Sequence, residues 1–239
     1  GSSILFGGFN DYHRLGFEPP QRRTLTEQQL GFRLSDFSMS QRFWVGIDAS
    51  DRKLWYCGTF PTPDRDVVYK IPEKMSIALS FAQVSCGPTF LLACDENGSA
   101  WLNGSMYSSI HHVPWDKLIR IGDLSDVVSV STGACYGVLL SRTGLVHTFG
   151  CNMQHSLGVC DHDGQPTITM IPINTGMENI IQISSGLFHN MCLDSSGQIW
   201  GFGYGWMDPT VPGKHICTPH KIDFSQKIAK IISEVFNGF

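Results

Sequence analysis

The chain has 239 residues, a net charge of −4 and only 16% charged residues, with 25 glycines and 12 prolines. That length suits one sizeable core or two domains, and the Gly/Pro-rich mix predicts short strands and turns rather than long helices. The charge does not mark the chain as a binder of nucleic acid or of an anionic membrane, and no apolar run approaches the roughly 18–20 residues that span a bilayer.

Gly1-Ser2-Ser3 reads as the remnant of an expression tag. It leads into "SILFGGFNDYHRLG", residues 3–16. A degenerate strand–turn–strand unit follows, "QRFWVGIDASDRKLWYCG" (41–58), which keeps only its last glycine, Gly58. "VSCGPTFLLACDENGSAWLNG" (84–104) has Gly87, Gly98 and Gly104. "VSVSTGACYGVLLSRTGLVHTFGCNMQHSLG" (128–158) has Gly133, Gly144 and Gly150. "IQISSGLFHNMCLDSSGQIWGFG" (181–203) has Gly186, Gly197 and Gly203. These three obey G-x10-G-x5-G. The N-terminal stretch aligns with the end of the third unit, so that Gly8, Asn10, Leu15 and Gly16 fall on Gly150, Asn152, Leu157 and Gly158. The marker glycines Gly8, Gly58, Gly104, Gly150 and Gly203 are separated by 50, 46, 46 and 53 residues.

Each copy has the same parts. An apolar strand ends in Ser before the first glycine, a second strand follows, and a polar glycine turn closes a hairpin onto a third strand. Large rings hold fixed registers. Phe90, Tyr136 and His189 stand three residues after the first glycine, with Trp44 in that place in the degenerate copy. Trp55, Trp101, His147 and Trp200 stand three residues before the closing glycine. This ladder reads as core, with His189 a structural histidine. Ile71-Pro72, Val113-Pro114, Ile171-Pro172 and Thr218-Pro219 mark connections or edges, because proline cannot donate to a ladder. Four-stranded units of 40–50 residues that cannot bury their own faces predict an all-β chain, a β-propeller; a two-sheet sandwich would leave the period unexplained.

The pattern resembles the repeat of the regulator-of-chromosome-condensation family, carried best by Gly186-Leu187-Phe188-His189 and by the run from Phe149-Gly150-Cys151-Asn152 to Leu157-Gly158. Members of that family are typically seven-bladed. Here residues 30–75, 76–122, 123–175 and 176–222 read as full blades of one domain. "KIAKIISEVFNGF" and residues 1–20 read as the two parts of a composite blade, in which "SILFGG" would pair with the strand around Ile231-Ile232. The expected ring has about five blades, or is part of a seven-bladed one.

Catalytic signatures are sparse: there is no G-x-S-x-G elbow, Walker loop or H-E-x-x-H. No cofactor is expected. Cys151, His155, Cys160 and His162 form the one zinc-like set, weighed against a plain structural role beside a repeat glycine. Cys86, Cys94, Cys135 and Cys192 lie in apolar runs, so all eight cysteines read as reduced and the compartment as intracellular, cytoplasmic or nuclear. Asn97-Gly98-Ser99 and Asn103-Gly104-Ser105 match the glycosylation pattern by chance in turns. Arg22-Arg23 and Asp51-Arg52-Lys53 read as solvated turns.

The leading functional reading is a non-enzymatic propeller that displays loops to a protein partner. The family resemblance implies an alternative, guanine-nucleotide exchange on a small GTPase such as Ran, and brings two lesser ones, chromatin binding and a secreted enzyme inhibitor. Chromatin binding is disfavoured by the lack of a basic tail, and a secreted inhibitor by the cysteine usage. The expected docking surface joins the loop "GVCDHDGQPTITM" to "YGWMDPTVPGKHICTPH". Trp206 is its anchor, with Met207, Asp208, Lys214, His215, Asp161 and His162 around it.

Overall fold

The computed structural model describes residues 3–6, 26–62, 65–106, 112–160, 167–204, 215–223 and 227–232. Their regular secondary structure is almost wholly strand. β1 (Ser3–Phe6) pairs antiparallel with β2 (Thr26–Gln29), from Ser3↔Gln29 to Phe6↔Thr26. Antiparallel meanders follow. The first is β3 (Leu34–Met39), β4 (Phe43–Asp48), β5 (Leu54–Phe60) and β6 (Val67–Lys74). The second is β7 (Phe81–Cys86), β8 (Phe90–Asp95), β9 (Ala100–Ser105) and the short β10 (His112–Val113), with β11 (Ile119–Arg120) also against β9. The third is β12 (Val127–Thr132), β13 (Tyr136–Ser141), β14 (Val146–Cys151) and β15 (Ile168–Asn174). The fourth is β16 (Ile180–Ser185), β17 (His189–Asp194), β18 (Ile199–Tyr204) and β19 (His215–Ile222). The chain divides into two compact units, one holding the first two meanders and the other the last two.

The repeat glycines set these boundaries. β4, β8 and β13 are buried along their whole length, which explains why they read as unbroken apolar runs. The prolines at 72, 172 and 219 fall inside β6, β15 and β19, the outer strands, where no further strand needs their missing N–H. The degenerate copy departs from the expected ring register. Phe43, not Trp44, faces Gly58, as Tyr136 faces Gly150 and His189 faces Gly203. Ser40 stands where the other copies have their first glycine, and its N–H bonds Phe43 O at 2.8 Å as Gly186 N–H bonds His189 O at 2.8 Å. Arg52, at φ 62°, takes the left-handed turn position that glycine holds elsewhere.

In the first unit Phe43, Phe60 and Trp115 cluster with ring centroids 4.3–5.1 Å apart. In the second, Tyr136, Val138, Leu140, Val146, Leu157, Ile183, Cys192 and Phe202 form the core. The serine that closes each first strand has a visible task. Within the first unit Ser38 Oγ accepts from Cys86 N at 2.9 Å, and within the second Ser131 Oγ accepts from Ser185 N at 2.9 Å, so each serine joins one sheet to the next. Asp36 does likewise one pleat away, accepting from Val84 N at 2.8 Å, and its burial raises the carboxyl above its ordinary range.

Residues 227–232 repeat these contacts without strand geometry. Ile228 N–H bonds Gly197 O at 3.1 Å, as Ile180 N–H bonds Gly144 O at 3.1 Å and Phe81 N–H bonds Arg52 O at 2.8 Å. The Gln182 amide then pairs both ways with Ile231, donating to its O at 2.7 Å and accepting from its N at 3.1 Å. This segment therefore lies beside β16 as β7 lies beside β3. The described partner of β1 is β2, not the Ile231 segment. Residues 7–25 and 233–239, which the composite blade needs, lie outside the described residues.

Candidate functional site

The connection after β14 is held by side chains rather than by a ladder. Asn152 Oδ1 accepts from Leu157 N at 2.8 Å and its Nδ2 donates to Val159 O at 2.9 Å. One amide thus closes both ends of a loop, which accounts for the Asn-x4-Leu-Gly spacing. Thr148 Oγ1 donates to Leu157 O at 2.7 Å, and Ser156 Oγ donates to Cys151 O at 3.1 Å. From the neighbouring sheet Asn190 Nδ2 donates to Ser156 O at 2.8 Å, while Ser185 Oγ donates to Asn190 Oδ1 at 2.7 Å. All of these side chains are buried. The network holds a 3-10 turn, Met153–His155, in which Gln154 and His155 adopt φ of 58° and 62°. Two consecutive non-glycine residues in the left-handed region persist only where their surroundings over-determine them.

This loop meets the start of β19. Cys160 and Cys217 form a disulfide with Cα atoms 4.8 Å apart. The His155 and His215 rings lie 5.6 Å apart at 74°, and the His215 and Tyr204 rings 5.3 Å apart at 52°. The end of the β14 connection and the start of β19 are therefore in direct contact. Of the expected docking residues, His215 is exposed at the first position of β19, opposite Tyr204. Asp161, His162, Trp206, Met207, Asp208 and Lys214 lie outside the described residues.

One cysteine reading is corrected. Not all eight are reduced: Cys160 and Cys217 are paired, while the six free cysteines are all buried. Of the zinc-like set, Cys160 is taken up by the disulfide, whose sulfur offers no thiolate to a metal, and Cys151 is fully buried. His162 of that set lies outside the described residues. Burial pushes the thiols of Cys57, Cys86 and Cys135 up to about 12 and that of Cys94 to about 11. Burial also holds the His189 imidazole below its usual range, neutral and packed over Gly186, as a structural role requires.

Sequence reasoning missed the disulfide and the part played by Asn190, Ser185 and Tyr204. The one available signal was that Cys160 and Cys217 stand outside the apolar runs. At the opposite rim of the same unit an open groove of ≈ 610 Å³ includes Glu178, Asp194 and Trp200. Burial alone would raise the Asp194 carboxyl, but bonds from Ser196, Trp200 and Gln198 outweigh it and hold its pKa at about 2.

Asn152→Ala leaves a buried N–H and a partly buried carbonyl without their partner. The expected cost is about 2 kcal/mol, with faster hydrogen exchange across residues 153–160. An unchanged melting temperature together with unchanged protection would refute the amide's role.

The family profile "Regulator of chromosome condensation (RCC1) repeat" matches residues 143–193, which contain the locked loop. The chain is similar to protein pim1 of Schizosaccharomyces pombe, 25% identical over 149 residues that cover 59% of this chain and 28% of that protein. It is similar to the human regulator of chromosome condensation, 27% identical over 169 residues that cover 68% of this chain and 39% of the relative. The match thus spans well under half of either relative. Among solved structures, Prp20p from Saccharomyces cerevisiae, described with its binding properties to Gsp1p and histones, superposes with a TM-score of 0.82 at 17% identity, over 98% of this chain and 64% of that one. The fold is thus a β-propeller built of four-stranded blades.

Proposed function

We propose that this chain, which belongs to the regulator of chromosome condensation (RCC1) repeat family, is a non-enzymatic docking propeller whose binding surface is the rim built from the β14–β15 and β18–β19 connections. One observation supports this most: an irregular loop with two strained residues is held by six hydrogen bonds from five buried side chains and tied to its neighbour by a disulfide. Rigid scaffolds invest such order where loops must present a fixed face. Trp206 is proposed as the aromatic anchor, with Met207, Asp208, Lys214, His215, Asp161 and His162 as its rim. The partner is a protein, and the setting is intracellular, cytoplasmic or nuclear. Guanine-nucleotide exchange on a Ran-like GTPase is the second reading, favoured by the likeness to Prp20p and to the regulators of chromosome condensation.

The two readings part in one pair of measurements. Partners crosslinked to the purified chain are mapped by mass spectrometry, and each is titrated against wild type and Trp206→Ala. The expected result is crosslinks on residues 153–162 and 204–217, and affinity lowered at least tenfold with an unchanged melting temperature. Crosslinks confined to the opposite rim, or full affinity in the variant, would overturn the docking surface. Fluorescent-nucleotide release from a Ran-type GTPase is expected to stay at its basal rate. A catalytic rise at substoichiometric chain would establish the exchange reading instead.

A further inference from the structure

We propose that Cys160–Cys217 is a thiol–disulfide exchange site, opened and re-formed in the folded protein by a dithiol reductant and its oxidised form, that fastens and releases the two rim connections. The inference stands whether or not the rim docks a protein.

Accessibility singles the pair out. Cys160 is exposed and Cys217 half-buried, whereas Cys57, Cys86, Cys94, Cys135, Cys151 and Cys192 are buried. A thiolate must reach a sulfur to attack it, so exchange falls on the one cysteine pair whose residues are not buried. Attack falls on Cys160, the more open end. The reductant's thiolate bonds to that sulfur, the S–S bond breaks, and Cys217 leaves as a thiolate and takes up a proton. The reductant's second thiolate then attacks its own sulfur in the mixed disulfide and expels the Cys160 thiolate, which is protonated in turn. The protein gains two electrons and two protons, and the dithiol leaves as a cyclic disulfide.

Re-formation follows from what holds each cysteine apart from the bond itself. Cys217 sits within β19, between Ile216, paired with Gly203, and His220, paired with Gly201. Cys160 follows Val159, whose carbonyl is held by Asn152. Both anchors survive reduction, so the thiols stay neighbours and the bond closes without a search through the unfolded chain. What reduction removes is the single covalent tie across 57 residues between the two connections.

The test uses the full chain under native conditions. After a short exposure to dithiothreitol, iodoacetamide should label Cys160 and Cys217 at least 100-fold faster than any of the other six. Oxidised dithiothreitol should then abolish that labelling. Hydrogen exchange across residues 153–160 and 215–222 should rise severalfold on reduction, and Cys160→Ser should show the raised rate with or without reductant. Three results would each overturn the proposal: a pair that resists reduction until the chain unfolds, buried cysteines that label as fast as the pair, and exchange rates indifferent to its redox state.

Discussion

Tyr136→Ala is expected to lower the stability of the chain by about 3–5 kcal/mol, a loss typical of emptying a buried aromatic site. Tyr136 is fully buried, and its ring packs over Gly133, where an added Cβ would lie 2.0 Å from the ring. Its hydroxyl reaches the next sheet, 2.9 Å from both Gly186 O and His189 O. One side chain thus fills the core of one blade and ties it to the turn of its neighbour. Tyr136→Phe separates the two tasks. It keeps the ring and removes the donor, so its cost should be about 1–2 kcal/mol. Urea titration followed by tryptophan fluorescence reads both, with the slope checked because two units need not unfold in one step. Equal losses in the two variants would mean that the hydroxyl, not the packing, carries the residue. A loss below about 1 kcal/mol for the alanine variant would refute the strut altogether.

The strand plan was legible because glycine spacing is a backbone property. Wherever a copy keeps G-x10-G-x5-G, the strands fall where the spacing puts them. The degenerate copy shows the limit. Without its first glycine, the more conspicuous Trp44 drew the register that Phe43 holds, and Arg52 hid a left-handed turn behind a residue that seldom adopts one. The serines closing the first strands were visible as a pattern, but their partners on the next sheet were not. A bond such as Ser131 to Ser185 spans 54 residues and depends on how two sheets meet.

The rim was half legible. Surplus loop length pointed to both connections, and the contact between His155 and His215 brings them together. Composition argued against disulfides, since a chain with a core of this size does not need them for stability. That argument concerns the average cysteine. It says nothing of a pair placed outside the core, where the bond joins two loops rather than completing a fold. The locking network was hidden for a similar reason: Asn152 and Asn190 read as loop polarity, and only burial turns them into structural residues.

Gly203→Ala is expected to cost at least about 3 kcal/mol, and Gly201→Ala, two residues away on the same strand, less than about 1 kcal/mol. Gly203 has φ +99°, and a Cβ there would lie 2.3 Å from Phe188 O and 3.0 Å from His189 Cα. Both obstacles are backbone, so nothing yields without moving the strand. The pairing of β18 with β19 shifts register between Gly201 and Gly203, and the glycine makes that bulge while facing the first residue of β17. Gly58 repeats the arrangement, with φ +119° and a Cβ position 2.4 Å from Arg42 O, so this is a rule of the repeat rather than of one blade. At Gly201 the nearest atom is the Ile222 Cδ1 methyl at 2.8 Å, the free end of a side chain that can turn aside. Soluble yield and thermal midpoint of both variants decide the matter. If the two midpoints fall together, the closing glycine is not the backbone requirement that its geometry describes. If Gly203→Ala fails to accumulate in soluble form while Gly201→Ala melts near wild type, the conformation at Gly203, and not the loss of a small residue from the strand, is what the fold demands.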